Sequence, residues 1–256
     1  MTMDMRLKDS FIERWDTYFT GAELPIVFFY TDNPSLGEPI SSSANHHCLI
    51  CNLAAVREGK TLRFDSDSVR CGGGKRMLGF VTSFAPNFEY FLSCGIEGTM
   101  EGERYKKSPE LVMKFIKRSS SLSAPAQSIV FKRWDLLEEP DNPAAVVFFA
   151  TADVLSGLFT LANYDQVEPD GVYAPFTSGC GSIVQYPMIE GGSERPRAIL
   201  GMFDVSARPC VPSDVLTFTV PMKKFAVMVD YMDESFLTTP SWGKVVKRIS
   251  REEPLQ

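Results

Sequence analysis

The chain lacks the features that most quickly assign a protein to a functional class. Its 256 residues include only two histidines, adjacent in sequence, so it has no H-x-x-x-H pair of metal ligands. The 26 basic residues are outnumbered by 32 acidic ones, and the formal net charge of −6 argues against nucleic acid as a partner, because neutralising phosphates requires a basic surface. A Walker A loop, a G-x-S-x-G elbow and an H-E-x-x-H motif are also missing.

Long hydrophobic runs are absent as well. The longest apolar run, residues 144–150, is far too short to span a bilayer. Residues 1–15 carry charges, at Asp4, Arg6, Lys8 and Asp9 among others, and no uninterrupted apolar stretch, so we expect no signal peptide and a cytoplasmic location. Six cysteines in a cytoplasmic chain should be reduced thiols, which serve in packing, metal binding or catalysis. The composition, 44% hydrophobic and 23% charged, is typical of a globular protein.

The chain instead contains an apparent second copy of itself. An apolar segment around Phe28-Phe29 recurs around Phe148-Phe149, 120 residues later, and each copy is followed by a helical stretch, a Gly turn and a Cys-Gly loop. This pattern predicts an internal duplication, with halves at residues 1–120 and 128–256 packed as one globular unit about a pseudo-two-fold axis. The Ser-, Ala- and Pro-rich residues 119–127 form the predicted linker.

Hydrophobic periodicity predicts alternating strands and helices, hence an α/β or α+β fold with a mixed sheet and flanking helices. The predicted strands are residues 25–30, 62–64, 88–94, 129–134, 145–149, 196–203 and 215–220. The predicted helices are residues 10–19, 44–58, 75–80, 108–118, 152–165, 221–231 and 241–251.

The two Cys-Gly loops are the leading candidates for a ligand site. Cys71 precedes Gly72, Gly73 and Gly74, and Cys180 precedes Gly181. If each loop begins a helix, the helix dipole favours thiolate over thiol and the free amides favour an anion. Tight turns with small space-filling cysteines are the alternative. Arg208 follows a predicted strand and is a candidate ligand for a carboxylate or phosphate, or else an ordinary surface arginine.

A second cysteine motif, His46-His47-Cys48-x-x-Cys51, is typical of a metal site because soft thiolates and imidazole suit zinc or iron. A structural zinc site needs a second ligand pair, which the sequence does not contain. We therefore expect no metal, with these cysteines buried on an amphipathic helix. If a metal is present, Cys48, Cys51 and Cys71 are its expected ligands.

Several of these segments together resemble the domain of unknown function 169 family of bacteria and archaea. The resemblance rests on Cys48, residues 54–60, Cys71-Gly-Gly-Gly, Leu78-Gly79, residues 146–149, residues 161–164 and Ser178-Gly-Cys180-Gly. It implies a stand-alone cytoplasmic α/β protein with paired Cys-Gly segments. It implies no established activity and supplies no catalytic residues.

Two functions from different classes follow from the residues. In the first, the protein binds an anionic small molecule or a thiol-ligated cofactor in a crevice between two pseudo-symmetric halves. In the second, it is a redox or transfer enzyme that uses Cys71 or Cys180 as nucleophile or metal ligand. Neither specifies the cofactor. A small molecule is the expected partner, with no nucleic acid and no membrane, and a homo-oligomer is compatible with the sequence.

Overall fold

A computed structural model of the chain describes residues 3–40 and 48–250. Within these residues nine α-helices flank one mixed sheet of eight strands. The strands are β1 (Ile26–Thr31), β2 (Glu38–Pro39), β3 (Leu62–Asp65), β4 (Ser128–Arg133), β5 (Ala145–Ala150), β6 (Val172–Tyr173), β7 (Ala198–Gly201) and β8 (Leu216–Pro221). The helices are α1 (Met5–Tyr18), α2 (Leu49–Arg57), α3 (Gly72–Met77), α4 (Phe88–Phe91), α5 (Pro109–Arg118), α6 (Ala152–Ala162), α7 (Tyr186–Gly191), α8 (Met222–Asp230) and α9 (Pro240–Ile249).

The strand order is symmetric about the centre of the sheet. It runs β2-β3-β4-β1-β5-β8-β7-β6, so each of the strands β1 to β4 has a counterpart among β5 to β8 at the same distance from the centre. The directions match too: β2–β3 and β6–β7 are the parallel pairs, and the remaining pairs are antiparallel. β1 and β5 meet at the centre, where Val27 is opposite Val146. The strand order is therefore symmetric about the boundary between these two strands.

Both faces of the sheet are covered, which explains why the central strands are almost continuously apolar. Val27, Val146 and Phe148 point to one face, whereas Phe28 and Val147 point to the other. The first, which we call the aromatic face, is covered by α1, α6, α8 and α9. The second, which we call the cysteine face, is covered by α2 and by a buried π-helix, Gly181–Gln185, that continues into α7.

The aromatic face is held together by large interlocking rings. Phe11 and Trp15 lie one turn apart on α1, and both are buried. Trp15 stacks on Phe19 with ring centroids 4.3 Å apart, and Phe11 contacts Phe225 of α8 edge-on at 5.0 Å. Such pairs add to the stabilisation from burial alone. This face therefore has the character of a hydrophobic core.

The α/β fold with a mixed sheet is confirmed, and most elements lie within a few residues of their predicted positions. Helix α5 begins as predicted, because the Ser108 side chain accepts a hydrogen bond from the amide of Leu111 and Pro109 occupies the first helical position. The predicted strand at residues 88–94 is wrong. The segment forms the short helix α4, which follows Asn87 in a left-handed conformation. Aromatic content favoured a strand there, but Phe88, Phe91 and Phe84 pack on one another as a surface cluster.

The predicted boundary between the halves lies just before β4. That strand nevertheless pairs with β1 and β3 on the first side of the sheet. In the described residues no helix is both long and apolar enough to cross a membrane.

Candidate functional site

Five of the six cysteines lie on segments that meet at the cysteine face. Cys48 and Cys51 come from the start of α2. Cys48 is the N-cap residue, with extended backbone, and Cys51 lies in the first turn. Their spacing places both sulfurs near the same end of the helix. Cys48 is half-buried against the apolar cluster that α2 forms with the sheet.

Cys210 reaches the same place from the connection between β7 and β8. It ends a short 3₁₀-helix, Arg208–Cys210, that packs against α2. Arg208 fixes this connection by donating to the carbonyls of Val215 (2.6 Å), Ser213 (2.8 Å) and Pro212 (3.1 Å). Cys51 and Cys210, 159 residues apart in sequence, form a disulfide with their Cα atoms 4.6 Å apart. The expectation that all six cysteines are free thiols is thus wrong for this pair, because the connection folds directly across the start of α2.

Cys48 completes a group of three sulfurs. The Sγ atoms of Cys48, Cys51 and Cys210 all lie within 4.8 Å of one another. Reduction of the disulfide would therefore leave three thiols side by side at the start of one helix. The sequence had suggested Cys71 as the third metal ligand, but the third sulfur of this group belongs to Cys210.

Cys180 is held over the same region by its glycine neighbours. The amide of Gly179 donates to the Asp204 carboxylate at 3.0 Å, which fastens the Cys180 segment to the β7–β8 connection. A Cβ atom at Gly179 would lie 3.2 Å from Ile50 of α2 and 3.3 Å from Ala207, so a larger residue would push these segments apart. The glycine thus permits the close approach that brings Cys180 to α2.

Cys71 lies at the start of α3 and is exposed. Its Sγ accepts a hydrogen bond from the amide of Gly74 at 3.4 Å, so it acts as the N-cap of the helix. Helix α3 also meets the Cys180 segment, since the Sδ atom of Met77 would lie 3.2 Å from a Cβ added at Gly181. The two Cys-Gly loops of the sequence are therefore neighbours through α3.

The electrostatics of the thiols differ from the sequence-based expectation. Burial raises the pKa of Cys180 well above its ordinary value, and the nearby Cys48, Cys71 and Asp204 raise it further. Burial also raises the pKa of Cys48, with Cys71 and Asp204 adding to the effect and the amides of Ile50 and Cys51 opposing it. The helix dipole was expected to favour thiolate at Cys180. Desolvation outweighs it, and Cys180 is a neutral thiol at neutral pH.

The cysteines have similar places in the topology of the two sides of the sheet. On each side, a helix crosses over between the two parallel strands: α2 between β2 and β3, and the π-helix with α7 between β6 and β7. Cys48 and Cys180 each lie at the start of one of these crossover segments, and Cys71 and Cys210 each lie in the connection that follows. The equivalence of Cys71 with Cys180 stays a prediction.

The other predicted site residues have separate positions. Gly72 has open space around it, and Gly74 packs against Val69. The nitrogens of Arg208 are engaged by backbone carbonyls, so this residue shapes the connection and we do not assign it to a ligand. His46 and His47 lie outside the described residues. Cys94 is exposed on a separate loop and serves as an internal reference thiol.

Sequence reasoning missed two components of the site. Cys210 was not singled out, because its partner Cys51 is remote in sequence and one isolated cysteine has no spacing pattern. The π-helix that follows Cys180 was also missed. All five of its residues are buried, and such segments frequently occur at functional sites.

Comparison with known proteins gives one family. The model of the domain of unknown function 169 family, described as uncharacterised ArCR, matches residues 21–231. No curated protein and no solved structure matches the chain. The matched span includes Cys48, Cys51, Cys71, Cys180 and Cys210.

Proposed function

We propose that this chain, which belongs to the domain of unknown function 169 family, holds a thiol-ligated metal centre on its cysteine face. The ligands come from Cys48, Cys51, Cys71, Cys180 and Cys210, which we call the cysteine cluster. The observation that carries the proposal is the convergence of these five residues from four separate segments. Space-filling alone does not require so many thiols in one place, since any small apolar residue packs equally well.

The chemistry of the cluster fits a thiophilic metal. Sulfur ligands select zinc, iron, copper(I) or an iron–sulfur cluster over hard cations. A tetrahedral site needs four ligands, and Cys48, Cys51 and Cys210 provide three sulfurs already within 4.8 Å of one another. Cys71 and Cys180 are the candidates for the fourth. The proposal departs from the expectation of no metal, because Cys210 adds a sulfur atom that the sequence motif lacked.

The raised thiol pKa values support the same proposal. Cys48 and Cys180 are neutral because burial and neighbouring negative groups disfavour thiolates. A bound divalent cation would supply the compensating positive charge and release their protons. Metal binding should therefore tighten as the pH rises, since protons compete with the metal for the sulfurs.

The strand order supports a duplication as the origin of the site. We infer that β1 to β4 and β5 to β8 are the two copies, which places the boundary after β4 instead of within residues 119–127. Each copy would contribute one cysteine at the start of a crossover helix and one in the following connection. The cluster would then lie between the halves, and the cofactor would be shared by them.

A cytoplasmic location, which we also propose, bears on the disulfide. Disulfides in that compartment are mostly transient and belong to catalytic or redox-sensing sites. Cys51 and Cys210 would accordingly spend much of their time reduced and available to a metal.

The disulfide itself favours one alternative, a thiol–disulfide redox enzyme. The Cys48 sulfur is within 4.8 Å of both sulfurs of the Cys51–Cys210 bond. Its thiolate could attack either of them, forming a new disulfide and releasing one thiolate. Oxidation of an external dithiol by Cys51–Cys210 would transfer two electrons and two protons to the protein, leaving two cysteine thiols.

Elemental analysis of protein purified anaerobically, with reductant and without a histidine tag, decides between these functions. We expect one bound zinc or iron centre per chain, with acid-labile sulfide if it is a cluster. Cys48→Ser and Cys210→Ser should retain less of it, whereas the matched control Cys94→Ser should keep it. Far-UV circular dichroism verifies that each variant is folded.

Two results would count against the metal centre. One is protein that stays metal-free after incubation with zinc, or with iron and sulfide. The other is equal metal content in the cluster variants and the Cys94 control. Metal-free protein whose Cys51–Cys210 bond cycles reversibly with a dithiol would support the redox enzyme instead.

A further inference from the structure

Arg76 is a buried cation on the segment that carries Cys71. It lies on α3 and is only 5% exposed. Its guanidinium carbon is 3.7 Å from the centre of the Phe84 ring, and Tyr186, the first residue of α7, is close enough to influence its charge. The guanidinium thus packs against the Phe84 ring, with the Tyr186 side chain in its neighbourhood.

Arg76 has no polar partner among the residues that the structure describes. Its Nε atom is fully enclosed and makes no hydrogen bond. The two terminal nitrogens form no hydrogen bond or ion pair within the described ranges, but they are not fully enclosed. Burial lowers the pKa of Arg76, and the neighbour that opposes this is the Tyr186 hydroxyl, not a carboxylate.

Two comparable cations in the described residues have a carboxylate partner. Lys132 contacts Asp141 at 3.0 Å, and Arg197 contacts Glu190 at 2.6 Å. The hydrogen bond to Glu190 raises the pKa of Arg197, whereas burial lowers the pKa of Arg76. Burial also lowers the pKa of Lys224, but the Asp165 carboxylate opposes that effect. Among these four cations, Arg76 alone has no carboxylate acting on it.

Burying the Arg76 guanidinium without a carboxylate lowers the stability of the folded protein unless a bound group supplies the negative charge. Burying an unpaired cation is strongly unfavourable, and the Phe84 ring offsets only part of that cost. A guanidinium offers five N–H donors in a planar fork that matches the oxygens of a carboxylate or phosphate. The Tyr186 hydroxyl adds a further donor nearby.

We propose that Arg76, assisted by Tyr186, binds the oxyanion group, carboxylate or phosphate, of a small-molecule ligand. The site adjoins the cysteine cluster, because Cys71 begins α3 and Met77 ends it against the Cys180 segment. It would therefore hold the ligand beside the proposed metal. The inference does not depend on that metal, since it rests on the unpaired guanidinium.

Thermal unfolding in phosphate, sulfate and oxalate, each against chloride at matched ionic strength, tests this proposal. We expect at least one oxyanion to raise the unfolding temperature of the natural protein progressively with concentration, as binding to the folded state requires. A larger effect of oxalate would indicate a carboxylate ligand, and a larger effect of phosphate a phosphate ligand. In chloride alone, Arg76→Met should unfold at a higher temperature than the natural protein, because it removes the unpaired charge.

The same variant separates binding from general salt effects. Phosphate and sulfate stabilise folded proteins non-specifically, so only the excess over Arg76→Met counts. The matched control is Arg195→Met, which removes an exposed arginine paired with Glu168 and Asp170 and should keep the full anion effect. Arg76→Lys keeps the positive charge but removes the planar fork of N–H donors. It should therefore weaken anion binding by about tenfold or more.

The proposal is overturned if none of the three anions stabilises the natural protein more than Arg76→Met. It is also overturned if Arg76→Lys binds as tightly as the natural protein. Should Arg76→Met fail to fold, the comparison of Arg76→Lys with Arg195→Met still decides the question.

Discussion

The two faces of the sheet are packed with different kinds of side chain. The aromatic face contains Trp15, Trp134, Phe148 and Phe225, all buried, and its rings contact one another directly. The cysteine face also buries phenylalanine rings, but it carries thiols, glycines and a π-helix beside them, with the unpaired Arg76 on the adjoining α3. The sulfur atoms of the proposed site and the π-helix thus lie on one side of the sheet. In the function proposed above, the aromatic face stabilises the fold and the cysteine face carries the site.

The largest expected effect comes from breaking the aromatic face. Trp15→Ala removes a side chain that is 1% exposed and should lower the free energy of unfolding by about 3–5 kcal/mol, the usual cost of such a cavity. Urea denaturation measures the loss. Metal content per folded chain should be unchanged, and a proportional loss of metal would show that the two faces are not separable.

Reduction of the Cys51–Cys210 disulfide should have the next largest effect. The bond closes a loop of 159 residues, and its removal should lower the stability of metal-free protein by about 2–4 kcal/mol. Zinc added to the reduced protein should restore much of this loss, because the metal cross-links the same segments. Denaturation with and without reductant provides the measurement.

The double variant Cys51→Ser/Cys210→Ser is the control for that experiment, since neither reductant nor zinc should change its stability. A reduced natural protein that gains nothing from zinc would limit the pair to a structural or redox role.

How far the sequence predicts the molecule also differs between the two faces. The i, i+4, i+8 spacing of Phe11, Trp15 and Phe19 predicted a helix, and the structure buries all three residues in the aromatic core. On the aromatic face, local periodicity is sufficient to predict which residues form the helix and which are buried. On the cysteine face, the neighbouring glycines singled out Cys71 and Cys180 as candidates, but no pattern singled out Cys210. Its role depends on a contact between segments that are distant in sequence, and no local pattern encodes such a contact.

The same distinction explains why the predicted thiolate at Cys180 is wrong. A helix start is visible in the sequence, so the dipole at Cys180 was foreseen. Its burial depends on Gly179 packing against Ile50 and Ala207, which only the fold reveals. Arg76 is a similar case, because an arginine in a basic segment gives no local sign that it will be buried without a partner.

A smaller effect should appear at alkaline pH. The pKa of Cys180 in the folded protein lies above the ordinary value of 9.0, so the folded state keeps its proton where the unfolded state loses it. Reduced, metal-free protein should therefore lose stability as the pH rises beyond about 9. Cys180→Ala should diminish this loss, with Cys48 responsible for part of the remainder. Urea denaturation at a series of pH values gives the slope, and an unchanged slope in the variant would refute the assignment.

X-ray absorption spectroscopy at the metal edge tests the central claim most directly. Protein purified anaerobically under reducing conditions should show a first shell dominated by sulfur, with metal–sulfur distances of about 2.3 Å if the metal is zinc. The sulfur count should fall in Cys48→Ser and stay constant in Cys94→Ser. A shell of oxygen and nitrogen alone, or a sulfur shell that does not respond to Cys48→Ser, would contradict a metal centre in the cysteine cluster.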